Sequence, residues 1–179
     1  MAHVTSEQLN RLLDQALLQG DHDALAGRLD ALAREYESGE MSRAAVLVLA
    51  AEQWRLAGRP EIALERYQQA AEDGGDVVID PRAGIADTLF ELGRADEARR
   101  ALAELWDEGG WTPDTALAVA ETLVAYGDLP AAHEWATAGV RACQGPTATR
   151  DALLRLRYRI RVDLGMPEDQ LDAMLDGAG

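Results

Sequence analysis

Three segments of the chain repeat one pattern: LAAEQWRLAGRPEIALERYQQA at residues 49–70, IADTLFELGRADEARRALAEL at 85–105 and VAETLVAYGDLPAAHEWATAG at 119–139. Aligning them on Gly58, Gly93 and Gly127 gives spacings of 35 and 34 residues, the length of a helix hairpin repeat. Seven residues before each glycine stands an alanine (Ala51, Ala86, Ala120), and five after it another (Ala63, Ala98, Ala132). Small residues at both places let a second helix lie close on the first. A bulky residue falls four before each glycine: Trp54, Leu89 and Leu123.

Working outward, glycine followed by proline punctuates the chain. Pro60, Pro81, Pro113, Pro130, Pro146 and Pro167 all open new apolar-periodic runs, where a missing amide costs nothing, and five of them follow closely on a glycine. Helix formers fill the intervals. The pattern predicts ten helices at about 5–19, 22–36, 42–57, 60–73, 81–92, 95–108, 113–126, 129–143, 148–164 and 167–176, joined by short loops that suit antiparallel neighbours. Asp73 to Asp80 reads as a connector that packs its apolar Val77, Val78 and Ile79. Leu154 to Val162 alternates apolar and polar residues, a strand signal; helix is preferred because the run extends from Thr147 to Leu164 among helices.

These residues resemble the tetratricopeptide repeat family over about 44–143. The resemblance implies an all-α, right-handed superhelical solenoid of about five antiparallel hairpins. Residues 1–41 would form an atypical N-terminal hairpin, 42–143 three typical repeats, and 144–179 an atypical capping hairpin. Leu13 and Leu25 replace the small residues in the first, and the last also lacks the alanine pair. Atypical ends are expected where an array must cover its terminal apolar faces.

In this family the first helix of each hairpin lines a concave groove for a peptide or a partner helix. Mapped by position, six residues before each hairpin glycine stand Asp14, Glu52, Asp87 and Glu121, then Arg159. Three before stand Leu17, Arg55, Phe90, Val124 and Val162, and ten before stand Asn10, Val48, Ala83, Leu117 and Arg155. The expected groove therefore combines an acidic ladder with an apolar strip and closes on Arg155 and Arg159. It would bind a protein or peptide segment bearing basic and apolar side chains. The plainer reading is that these acids are simply solvated. A homodimer built on the convex face, where Trp106, Trp111 and Trp135 fall, is the alternative, as is a role as the repeat portion of a larger regulatory protein.

Charge and composition narrow the classes further. The 179 residues carry 32 acids against 17 cations, all of them Arg, for a net charge of −15. That balance opposes binding to phosphate backbones or anionic membranes. Six Arg crowd 141–161 against one acid, Asp151; pairing with neighbouring carboxylates or with the acidic tail is expected, with raised salt destabilising the fold. The lone Cys143 cannot form an internal disulfide and fits a reducing, cytoplasmic setting. His3, His22 and His133 show no metal-ligand spacing, and no phosphate-binding glycine loop or nucleophile elbow occurs. No catalytic role, cofactor or metal is expected.

Overall fold

The computed structural model describes residues 2–5, 7–9, 11–13 and 20–176. Residues 7–9 and 11–13 are helical. Then follow α1 (His22–Glu35), α2 (Arg43–Leu56), α3 (Pro60–Asp73), α4 (Pro81–Glu91), α5 (Ala95–Glu108), α6 (Pro113–Ala125), α7 (Leu129–Ala142), α8 (Ala148–Asp163) and the single turn α9 (Ala173–Asp176). Two compact units divide the chain, Met1–Ala103 and Glu104–Gly179, with the division falling inside α5.

Local chemistry sets the helix boundaries. Asp21, Ser42, Asp80, Thr112, Asp128 and Thr147 each accept a first-turn amide through the side chain, satisfying a donor the helix leaves orphaned. Pro60, Pro81, Pro113 and Pro130 lie in the first turns of α3, α4, α6 and α7. Pro146 instead precedes the cap of α8, and Pro167 opens no helix. At the other ends one closure recurs four times among the described residues. Gly58, Gly93, Gly127 and Gly165 sit at φ of 71°, 74°, 80° and 66°. The next residue donates back five positions, Arg59 to Trp54, Arg94 to Leu89, Asp128 to Leu123 and Met166 to Arg161, at 2.8 to 2.9 Å. This double closure needs a left-handed residue that glycine supplies without strain.

In the first unit α1 packs on α2, α2 on α3, and α3 on α4. One apolar cluster gathers Leu25, Leu29, Ala33, Val46, Leu47 and Ala50. A second holds Ala51, Ala63 and Tyr67, with Trp54 and Ile85 against it. Tyr67 reaches across to α4, where a Cβ on Gly84 would stand 2.4 Å from its ring. All six repeat alanines are fully excluded from solvent, as close helix contact requires. In the second unit α6 packs on α7, α7 on α8, and α6 also on α8.

Three features differ from the sequence reading. Ala2–Val4 forms a strand, β1, paired in parallel with β2 (Tyr36–Gly39), so the helix expected to 36 ends at Glu35. The connector packs only Val77; Val78 is 73% exposed and Ile79 is also exposed. The helix expected over 167–176 is reduced to Ala173–Asp176. Its first residues are diverted by carboxylates: Leu171 and Asp172 donate their amides to Asp169 Oδ1, and Asp169 donates its amide to Asp172 Oδ2. Such side-chain acceptors offer the backbone an alternative to helical bonding. The alternating run at 154–162 is helical, with Leu153, Leu156 and Ile160 buried.

Candidate functional site

Spacings of four and three residues put Val48, Glu52 and Arg55 on one face of α2, and Leu117, Glu121 and Val124 on the equivalent face of α6. Asp87 and Phe90 share a face of α4, and Arg155 and Arg159 one of α8. Asn10, Asp14 and Leu17 lie outside the described residues.

The α2 face is a charged cluster rather than a row of free acids. Arg55, half-buried, pairs through NH1 with Asp87 and donates from Nε to Glu91 Oε2 at 3.0 Å. A cation from the apolar strip thus neutralises the rung one repeat further on, so Asp87 is not the free carboxylate of the acidic ladder. Glu52 is solvent-accessible but crowded by surrounding protein; lost hydration raises its carboxyl above the ordinary value, with Arg55 partly opposing. Burial, reinforced by the Glu52 charge, pushes the neighbouring Tyr67 hydroxyl up to about 12. Glu52 has no hydrogen-bond or ion-pair partner among the described residues. Val48 is half-buried between the two apolar clusters. Phe90 is buried, with the Arg99 guanidinium 5.7 Å from its ring centre; it adds little apolar surface to any groove.

On α6, Glu121 is exposed and likewise unpartnered among the described residues, while Leu117 and Val124 are half-buried beside it. Arg155 and Arg159 on α8 are exposed. Their neighbours differ. Arg157 is only 2% exposed and binds Thr137 Oγ1 at 2.9 Å, Asp172 at 2.6 Å and Asp169. Arg161 also pairs with Asp169, at 2.9 Å, and Asp172. The expected pairing of the arginine-rich helix with the acidic tail holds for these two residues, which form a clasp. The arginines assigned to the groove are those left outside it.

Sequence reasoning missed the role of Asp30 on α1. This buried acid accepts from Arg66 Nε at 2.8 Å, Arg66 NH2 at 3.0 Å and Trp54 Nε1 at 3.2 Å, tying three helices together. A signal was present: unlike charges separated by about one repeat, 32 for Arg55 and Asp87 and 36 for Asp30 and Arg66, meet between successive hairpins.

Trp106, Trp111 and Trp135 cluster at centroid distances of 4.8 to 5.7 Å, Trp106 stacked on Trp111 and edge-on to Trp135, with Trp111 and Trp135 tilted at 52°. Trp135 is buried and Trp106 is 38% exposed, so packing accounts for most of their surface. Cys143 is half-buried, its thiol directed at the Gly139 carbonyl at 3.3 Å. Among the described residues no group of three or more His, Cys, Asp or Glu is placed to hold a metal ion, and no helix is long and apolar enough to cross a membrane.

The class these features define is a mostly helical protein whose successive helices pack on one another and turn through a repeated glycine closure. No family model and no curated protein matches the chain.

Proposed function

We propose that this chain is a cytoplasmic, non-enzymatic interaction module of the tetratricopeptide kind, its hairpins stacked as a right-handed superhelix, that binds a basic and apolar segment of a partner protein. One observation carries the reading. Glu52 on α2 and Glu121 on α6 hold the same place in their hairpins, are both exposed, and have no hydrogen-bond or ion-pair partner among the described residues, each beside a half-buried apolar residue four positions earlier (Val48, Leu117). Most other features of these faces are already engaged internally, Asp87 by Arg55 and Phe90 by burial. Free carboxylates beside apolar surface suit a Lys or Arg flanked by an apolar side chain, the charges governing rate and selectivity and the apolar contact most of the affinity.

The test is capture from the source cell with tagged wild-type protein and with the Glu52→Lys, Glu121→Lys double variant, bound proteins being quantified by mass spectrometry. Both substitutions are at exposed positions, and circular dichroism checks that the helices persist. A partner enriched by the wild type and lost from the variant supports the reading. Identical sets captured by both would sink it.

A further inference from the structure

A cavity of about 250 Å³ opens in the first unit between α1, α2 and α3. Its wall has a sign opposite to that of the chain. Three of the 17 arginines, Arg34, Arg43 and Arg66, converge on it, and Asp30 is its single acid. Each guanidinium is fixed at Nε: Arg34 donates to the Asp30 carbonyl at 3.3 Å, Arg43 to the Ala33 carbonyl at 2.9 Å, and Arg66 to Asp30 Oδ1 at 2.8 Å. The Asp30 carboxylate is consumed by Arg66 and Trp54. Arg43 spends NH1 on Asp73, which leaves its NH2 and both terminal nitrogens of Arg34 without a partner among the described residues. With the rim acids Asp73 on Arg43 and Glu65 on Arg66 counted, three acids match the three cations, and Arg34 is the one of the three arginines with no carboxylate on it among the described residues.

Guanidinium forks with spare N–H groups match the planar and tetrahedral oxygens of carboxylates and phosphates, and Arg34, exposed and bonded only at Nε, can turn toward a ligand. Gln69 adds an amide, and Leu47 with Ala33 supplies a short apolar floor. The volume lies below the roughly 300–1,000 Å³ usual for drug-sized ligands, so the occupant is small. We propose that the cavity between α1, α2 and α3 is a binding site for the phosphate or carboxylate group of a small molecule, with Arg34 as its principal free donor. This site is independent of the α2 and α6 faces.

Inorganic phosphate and succinate, titrated separately by calorimetry against sodium chloride at matched ionic strength, distinguish the two groups. At least one is expected to bind saturably, about tenfold more weakly to Arg34→Gln and unchanged to Arg100→Gln, an exposed arginine on α5. Arg34 bonds only a helix carbonyl, so its replacement spares the packing. Should that variant fold poorly, NMR of the arginine Nε–H groups in the wild type gives a second readout: the ligand should move Arg34, Arg43 and Arg66 resonances and leave Arg100 still. Absence of saturable binding by both anions, binding unaffected by Arg34→Gln, or Nε–H shifts spread over all arginines would each overturn the proposal.

Discussion

Gly84 and Arg157 show how single residues limit what these helices tolerate. A methyl at position 84 would collide with the Tyr67 ring, a side chain buried between α3 and α4 and unable to swing to solvent. Overpacking of this kind costs about 1–3 kcal/mol, so Gly84→Ala should lower the unfolding free energy measured by urea denaturation by that amount. The paired change Gly84→Ala with Tyr67→Leu should recover part of it. Arg157 is a different case. Its charge lies 2% exposed against Asp172, which is itself buried. Removing one partner of a buried pair strands the other at about 3–5 kcal/mol, an upper figure here because Arg161 still reaches Asp172. Arg157→Ala is therefore expected to destabilise more than Arg155→Ala or Arg159→Ala on the exposed face of the same helix, as thermal melts of the three variants would show.

Acid sensitivity also belongs to individual groups in the clasp. Hydrogen bonding to Arg157 pulls the Asp169 carboxyl down to about 2 from an ordinary 3.8. A carboxyl depressed in the fold contributes stability above its unfolded value, and that contribution is lost as pH falls from about 4 toward 2. His133 acts higher on the scale. Burial, with Arg157 and Arg161 nearby and only partly offset by Asp169 and Asp172, holds its imidazole below the ordinary 6.5, and its Nε2 is enclosed without a hydrogen-bond partner. The fold thus favours neutral His133, and stability declines as pH drops below about 6.5, where the unfolded chain takes up the proton. Urea midpoints measured from pH 8 to 4 should fall in the wild type, with the near-neutral part of that fall reduced in His133→Gln. A profile unchanged by the substitution would assign that part to other groups.

At the scale of elements, the glycine turns carried most of the legible information. Positive φ at Gly58, Gly93, Gly127 and Gly165 with the same return hydrogen bonds means that one closure operates even at the last hairpin, whose alanine pair is missing. Gly127→Ala should cost about 1 kcal/mol through αL strain alone, since nothing lies within 4 Å of the added Cβ. Chemical denaturation checks the magnitude. Elements set by tertiary pairing were not legible. β2 reads YESG, with no apolar alternation, and exists because Val4 and its neighbours pair with it. Pro167 to Asp176 reads as a helix until Arg157 and Arg161 claim the carboxylates of Asp169 and Asp172. The groove positions were legible as helix faces, because periodicity fixes direction. Their occupancy was not, because the partner of Asp87 is one repeat away on α2.

At the scale of the whole molecule, the response to salt depends on which charges remain uncompensated. Exposed pairs such as Arg94 with Glu97 are worth little and are readily screened. The pairs that matter for packing, Arg157 with Asp172 and Arg66 with Asp30, are shielded from solvent and from mobile ions. Such pairs consume arginines while acids outnumber cations by 15, so the dominant screenable contribution is repulsion among surplus carboxylates. Given the pairing of Arg157 and Arg161, the expected salt response is the reverse of the one read from sequence, where these pairs stood for the charges salt would weaken. With a Debye length of about 30 Å at 0.01 M and about 10 Å at 0.1 M, most of the relief should occur over that range. The melting temperature should rise by a few degrees, since about 1 kcal/mol corresponds to roughly 2–4 °C for a chain of this size. A fall over the same range in sodium chloride would mean that exposed ion pairs contribute more than the carboxylate repulsion they partly relieve.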